Sequence, residues 1–393
     1  MRRANVAGVG MTKFTSPKAL RPYTEMGQEA VKDALADSGV DYSEIEHAYA
    51  GWVYADSCAG QKVLYDLGMT GIPVFNVNNN CSTGSNALFL ARQAVATGVV
   101  ECALAVGFEQ MSPGALGIVF SDRPIPMFTF FEKLWNFTPP VPGAAPAAQL
   151  FGGAGLEHQE KYGTKTETFA KISVKARKHA QHNERAIFRD QLTVEEVLAS
   201  PPQAPPLTRL QCCPPTCGAA AAVVCSDEFA ARHNIASPVY IIAQSMLTDF
   251  SSTFEGNSPM RIVGYDMTAA AAKEVYEASG IGPEDVDVIE LHDCFTANEL
   301  ITYEGLGLTP EGTAEKFIED GDNTYGGKYV TNPSGGLLSK GHPLGATGLA
   351  QCAELVWQLR GEAGVRQVEG ARIGLQHNIG LGGCVVVTMY GRN

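Results

Sequence analysis

Four short segments carry residue types that can move acyl groups and protons. In the first, Asn78-Asn79-Asn80-Cys81-Ser82-Thr83-Gly84, a cysteine follows the apolar stretch Ile72–Val77 and precedes a helical pattern. A thiol at a helix start meets unpaired N–H groups and the positive end of the dipole, which lower its pKa. Ser82 or Thr83 can cap the same helix. A small buried cysteine beside an ordinary cap accounts for these residues equally well. The second segment, Lys340-Gly341-His342-Pro343-Leu344-Gly345, holds His342 in a tight backbone before another helix. An imidazole facing Cys81 would take the thiol proton, although a lone histidine in such a loop can be purely structural. The third, Glu290-Leu291-His292-Asp293-Cys294-Phe295, ends the strand Val286–Leu291, and strand ends of α/β sheets are where ligands bind. There His292 could donate toward an oxyanion and Cys294 could exchange a proton with a substrate carbon. The fourth, Gln376-His377-Asn378-Ile379-Gly380-Leu381-Gly382-Gly383, has glycines whose N–H groups could form an oxyanion hole. A strand, Cys384–Tyr390, follows it, which argues against a phosphate-binding turn before a helix.

The elements that must hold these loops read as repeated α/β units. Strand patterns at Val6–Val9, His47–Val53 and Glu101–Gly107 alternate with helical spacing over Tyr23–Ser38 and Ser82–Thr97, which predicts a largely parallel sheet. Gly27–Val53 is echoed by Thr268–Phe295: helix, Ser-Gly stop, acidic turn, apolar strand. Thr83-Gly84 is echoed by Thr347-Gly348, each opening a helix. The echoes suggest duplicated halves, and in that arrangement the His342 loop faces the Cys81 loop. Between them, residues 112–216 are rich in proline and form an insertion over the α/β body. The expected division is 1–111 with 217–250 as a first half, 112–216 as a loop domain, and 251–393 as a second half.

The 393 residues are 45% hydrophobic and 18% charged, with a net charge of −13. Such acidity argues against nucleic acid as the main partner, and no apolar stretch approaches a membrane span. Neither a secretory signal after Met1-Arg2-Arg3 nor a peroxisomal address at Gly391-Arg392-Asn393 is expected. Between Lys161 and Arg189 eight Lys or Arg face two acids, a segment of +6 against −19 elsewhere. Lys161, Lys175, Arg177 and Lys178 are therefore candidate contacts for an anionic ligand; a solvated helix face is the plainer explanation. Cys212, Cys213, Cys217, Cys225 and His233 lack paired zinc-ligand spacing, so no metal is expected. Ten cysteines without a disulfide framework suit a cytoplasmic protein.

Together the four segments resemble the thiolase superfamily, and specifically the sterol carrier protein 2-type thiolases. Gly8-Val9-Gly10-Met11-Thr12-Lys13-Phe14, Gly68-Met69-Thr70-Gly71-Ile72-Pro73 and Asn332-Pro333-Ser334-Gly335-Gly336 extend the likeness along nearly the whole chain. The resemblance implies a five-layer αβαβα fold of two halves with a loop domain over the site. It makes Cys81 the acyl-accepting nucleophile, His342 its activating base, and Cys294 the acid/base cysteine. His292 takes the place of an asparagine that serves an oxyanion hole in other thiolases, and Gly380 shares a second hole with Cys81. Most thiolases carry their second cysteine where this chain has Asn378. No counterpart of the lipid-transfer domain that follows the thiolase in sterol carrier protein X is expected. Cys217 replaces an expected acidic residue, and Ile118–Pro146 is divergent, with aromatic bulk at Phe128–Phe131 and Trp135–Phe137.

The implied activity is cleavage of a 3-oxoacyl-CoA by coenzyme A, or the reverse condensation, in a homodimer. Coenzyme A is then a substrate, with no permanently bound cofactor. The alternatives are a thiolase-like retro-aldolase, an acyltransferase or acyl carrier-dependent synthase, and a non-catalytic acyl-CoA-binding subunit.

Overall fold

The computed structural model describes residues 2–113, 119–235 and 239–393; Met1 and Ile118 lie outside them. Ten strands form the scaffold: β1 (Ala4–Met11), β2 (His47–Gly51), β3 (Val74–Val77), β4 (Cys102–Glu109), β5 (Gly218–Ser226), β6 (Val239–Leu247), β7 (Val288–Glu290), β8 (Val330–Thr331), β9 (Ile373–Gly380) and β10 (Cys384–Arg392). Their hydrogen-bonded order is β3-β2-β4-β5-β1-β6-β10-β9-β7-β8. The first five and the last five thus repeat one topology as mirror-ordered sets. Within each set four strands run parallel and one, β5 or β10, runs against them. The sets meet where Ala4–Val6 of β1 pairs antiparallel with Val239–Ile241 of β6.

This pairing shifts the expected boundary. The sequence pattern places residues 239–247 in a first half that runs to residue 250, yet β6 pairs with β10 along its length and holds the place in its set that β1 holds in the other. The division falls between β5 and β6. The helical echo is present: Tyr23–Ser38 and Tyr265–Ser279 both end on a left-handed glycine, Gly39 and Gly280, and lead through a short 3-10 turn into β2 and β7.

Layering follows from the period-two alternation of strand side chains. On β5, Ala220, Ala222 and Val224 face a core shared with Ala87, Leu88 and Ala91 of the Thr83–Ala96 helix and with Leu349 and Ala353 of the Thr347–Arg360 helix. Ala219, Ala221 and Val223 face the opposite way, toward Met26, Ala30 and Ala34 of the Tyr23–Ser38 helix. The two central helices lie against each other and against strands of both sets, while Tyr265–Ser279 covers β6 and β10 from outside. Helix, sheet, helix, sheet, helix is the five-layer order. Between β4 and β5 the insertion carries the Phe128–Phe137, Pro146–Tyr162 and Thr166–Ala180 helices, of which the last two pack on the Thr296–Gly305 helix.

Candidate active site

The Cys81 and His292 segments follow β3 and β7, the His342 segment follows β8 through the short Gly336–Ser339 helix, and the fourth segment is the end of β9 with its turn into β10. After β3 the chain turns through Asn80, held at a positive φ of 53°, and enters the Thr83–Ala96 helix. Ser82 Oγ donates to the Asn79 carbonyl at 2.8 Å, and Thr83 Oγ1 donates to the Asn80 carbonyl at 2.6 Å. Neither hydroxyl caps the helix as expected; both are turned back to fix the loop around Cys81. Asn80 Nδ2 ties that loop to the Leu381 carbonyl at 3.0 Å. Gly380, at the end of β9, must be glycine, because a Cβ there would overlap the Asn79 carbonyl oxygen.

Cys81 is 8% exposed. Its Sγ and one ring nitrogen each of His292 and His342 lie within 4.8 Å of one another. A soft divalent ion could be held by these three atoms, and they are also the atoms acyl transfer requires. The imidazoles meet edge to face, with centroids 5.1 Å apart. His342 Nδ1 lies 2.7 Å from Thr347 Oγ1, whose own proton goes to the Pro343 carbonyl at 3.0 Å. The hydroxyl can then only accept, so His342 carries its proton on Nδ1. Its Nε2 is buried without a partner, a bare lone pair.

The helix-start expectation for the thiol is corrected by burial. Desolvation, then the nearby Glu109 carboxyl, push Cys81 up to about 12, outweighing the opposing N–H groups of Cys81 and Leu381. Desolvation likewise pushes His342 down to about 3. The resting pair is a neutral thiol beside a neutral base. The sequence pattern ends β4 at Gly107 and so does not single out Glu109, the strand's last residue. Its carboxyl accepts from the N–H groups of Val53 (3.1 Å), Tyr54 (2.9 Å) and Gly345 (3.0 Å), joining a first-half loop to the His342 loop. Leu381 N–H was missed also, having no side-chain signal.

The segment after β7 is pinned through its middle residue. Asp293 accepts from Leu337 N–H at 2.7 Å and Leu338 N–H at 3.3 Å, and Leu291 N–H donates to Asn332 Oδ1 at 2.8 Å. Asn298 holds the His292 carbonyl. Burial keeps His292 well below the ordinary histidine range. Cys294 is buried, and its thiol is raised first by desolvation and then by the neighbouring Cys213 and Cys81. Cys213 N–H donates to the Cys294 carbonyl at 2.9 Å, so a third thiol flanks the pair.

The basic segment is a different matter. Lys175 is 7% exposed and pairs with Glu299, with Thr331 Oγ1 at 2.7 Å. A buried cation left without such a partner would be costly, so it serves the interior, and the ligand-contact expectation fails for it. Arg177 is also buried, over the Phe188 ring at 4.4 Å. Lys161 stays at the surface near Glu311, and Lys178 is exposed. Lys165 and Lys171 pair with Glu315 and Glu319, so acids of the second half offset much of the local charge.

A buried thiol, two neutral imidazoles and converging backbone loops on a duplicated five-layer scaffold define a thioester-handling enzyme. Residues 5–228 match the family model "Thiolase, N-terminal domain" and residues 254–390 match "Thiolase C-terminal domain-like". The chain belongs to the thiolase family and is an acyltransferase of that type. It is 56% identical to "Sterol carrier protein 2" of Homo sapiens over 99% of this chain and 72% of that one. It is 36% identical to "Acetyl-CoA acetyltransferase" of Methanothermobacter thermautotrophicus over the whole of both. Among solved structures, "Ltp2-ChsH2(DUF35) aldolase" superposes with a TM-score of 0.83 at 25% identity, covering 99% of this chain and 98% of that one.

Proposed function

We propose that the protein cleaves 3-oxoacyl-CoA thioesters with coenzyme A, or runs the reverse condensation, through an acyl group carried on Cys81. The observation that carries this reading is the convergence of Cys81, His292 and His342 within 4.8 Å, with the His342 Nε2 lone pair bare. His342 takes the thiol proton as sulfur attacks the β-carbonyl. The bond between α and β carbons breaks and its electrons become the enolate of the departing acyl-CoA. His292 donates to the enolate oxygen, and Cys294 gives its proton to the enolate carbon. An incoming CoA thiol returns a proton to Cys294 and attacks the acyl-enzyme. Cys81 leaves and recovers its proton from His342. N–H groups of Cys81 and Gly380 face the other oxygen on which charge develops.

Phe130, Ile262, Val263 and Met267 line only a small recess beside Gly380, with room for about one water molecule, so the proposed range of fatty, branched or sterol side-chain acyl groups rests on the resemblance and not on this recess. Of the four expected cations, the surface-placed Lys161 and Lys178 are those kept for the CoA phosphates. A homodimer is favoured by the two ends of the strand order: β8 is buried, whereas β3 is an open edge carrying exposed Phe75. Ten free thiols suit a reducing cytoplasm. Among the described residues no helix is long and apolar enough to cross a membrane. Likeness to an aldolase favours retro-aldol cleavage as the second reading, but Cys81 and Cys294 together serve thiolysis. Incubation with 3-oxoacyl-CoA and free CoA should remove the ultraviolet absorbance of the substrate enolate. No turnover across short, long and branched chains would overturn the thiolase reading.

A further inference from the structure

The residue that stands in place of the missing C-terminal cysteine is built into the site. Asn378 is buried at the end of a chain of polar groups. Gln376 Nε2 lies 2.7 Å from the Gly348 carbonyl, which can only accept, so the amide group there is the NH2. That nitrogen also donates to Ser85 Oγ at 2.9 Å, while Tyr390 donates its hydroxyl proton to Gln376 Oε1. Ser85 has its own proton left for the 2.8 Å contact with Asn378, which therefore presents Oδ1. The other face of the amide, Nδ2, lies 2.8 Å from His292 Nδ1 and donates to it.

We infer that Asn378 is a positioning residue that locks His292 in the tautomer protonated on Nε2, opposite to that of His342. The two imidazoles then differ in the atom each offers: a lone pair at His342 and an N–H at His292. Only the second can hold an enolate oxygen, and only the first can accept the Cys81 proton. Buried polar chains of this kind hold their direction because a reversed member leaves a donor or acceptor unpaired away from water. The locking itself is independent of the thiolase reading; its catalytic consequence rests on that reading.

The test is nitrogen NMR of the full chain labelled with 15N-histidine, with His292 assigned by comparison with His292→Asn. In the unaltered protein at neutral pH, Nε2 should show the protonated-type shift and Nδ1 the bare type. In Asn378→Asp the carboxylate keeps the Ser85 bond but can only accept from His292, so the two shifts should exchange. Cleavage of 3-oxoacyl-CoA should fall about 10²- to 10³-fold, the effect of losing one oxyanion donor. Acylation of Cys81 by a simple acyl-CoA should fall less than about tenfold, because it needs His342 and the N–H groups instead. Should Asn378→Asp not fold, Ser85→Ala serves: releasing the amide should give mixed His292 shifts and an intermediate loss of cleavage. A protonated Nδ1 at His292 in the unaltered protein would overturn the inference. So would unchanged shifts in the folded variants. Absence of any carbon–carbon cleavage by the unaltered protein would instead count against the thiolase reading, with the shifts still deciding the tautomer.

Discussion

The two halves share a topology and, under the proposed function, divide the chemistry. The loop after β3 carries Cys81 and the corresponding loop after β8 carries His342; each leads into a central helix, Thr83–Ala96 or Thr347–Arg360. After β2 the loop offers the Val53 and Tyr54 N–H groups, bound to Glu109; after β7 the equivalent loop offers His292 and Cys294. At the end of β4 stands Glu109, and at the end of β9 stands Gly380, with Leu381 just beyond it. Under the proposed function the first half supplies the nucleophile, and the second supplies base, acid and the glycine loop. Duplication provided matched positions at one face of the scaffold, and side-chain identity decided what each does.

That division can be broken most severely at the nucleophile. Cys81→Ser should lower thiolysis by on the order of 10⁴-fold or more, and intact-mass measurement should find no acyl adduct. An adduct elsewhere on the chain would move the nucleophile out of the first half. Its counterpart in the second half ranks next. His342→Gln should cost about 10²- to 10⁴-fold, with the loss narrowing at alkaline pH, since hydroxide can then take the proton of a thiol that burial keeps protonated. A uniform loss at all pH values would deny His342 its role as base.

The smallest effect sharpens the link between halves. Burial raises Glu109 to about 7 from an ordinary 4.5. An acid that holds its proton more tightly when folded contributes stability fully below the unfolded value and loses it as pH rises through 7. Glu109→Gln cannot lose that proton, so Tm of the unaltered protein should drop relative to the variant between pH 5 and pH 8. A constant difference across that range would remove Glu109 as the titrating link.

Much of the arrangement is legible in the chain because it is local. The Tyr23–Ser38 helix is written in its spacing and its glycine stop, and its bounds match. Cys81, His342, His292 and Cys294 stand out because each sits in a short segment with a distinctive loop composition. What escapes the sequence depends on partners far along it. Lys175 reads as one more cation of a basic helix, and only the fold brings Glu299 beneath it. The helix start predicts a lowered Cys81 pKa, while burial, followed by the carboxyl of Glu109 at the end of β4, two strands from β3, reverses the direction. The histidine tautomers rest on Thr347 and Asn378, and no spacing rule encodes which ring nitrogen each contacts.

The division between halves is tested most directly by following acyl transfer to Cys81 in Cys294→Ala by intact mass. With a simple acyl-CoA, the variant should acquire the acyl adduct on Cys81 as the unaltered protein does. With 3-oxoacyl-CoA and free CoA, carbon–carbon cleavage should fall by about 10²-fold or more, the contribution of a positioned acid/base. Cleavage by the variant at the unaltered rate would contradict the assignment of nucleophile to one half and proton donor to the other.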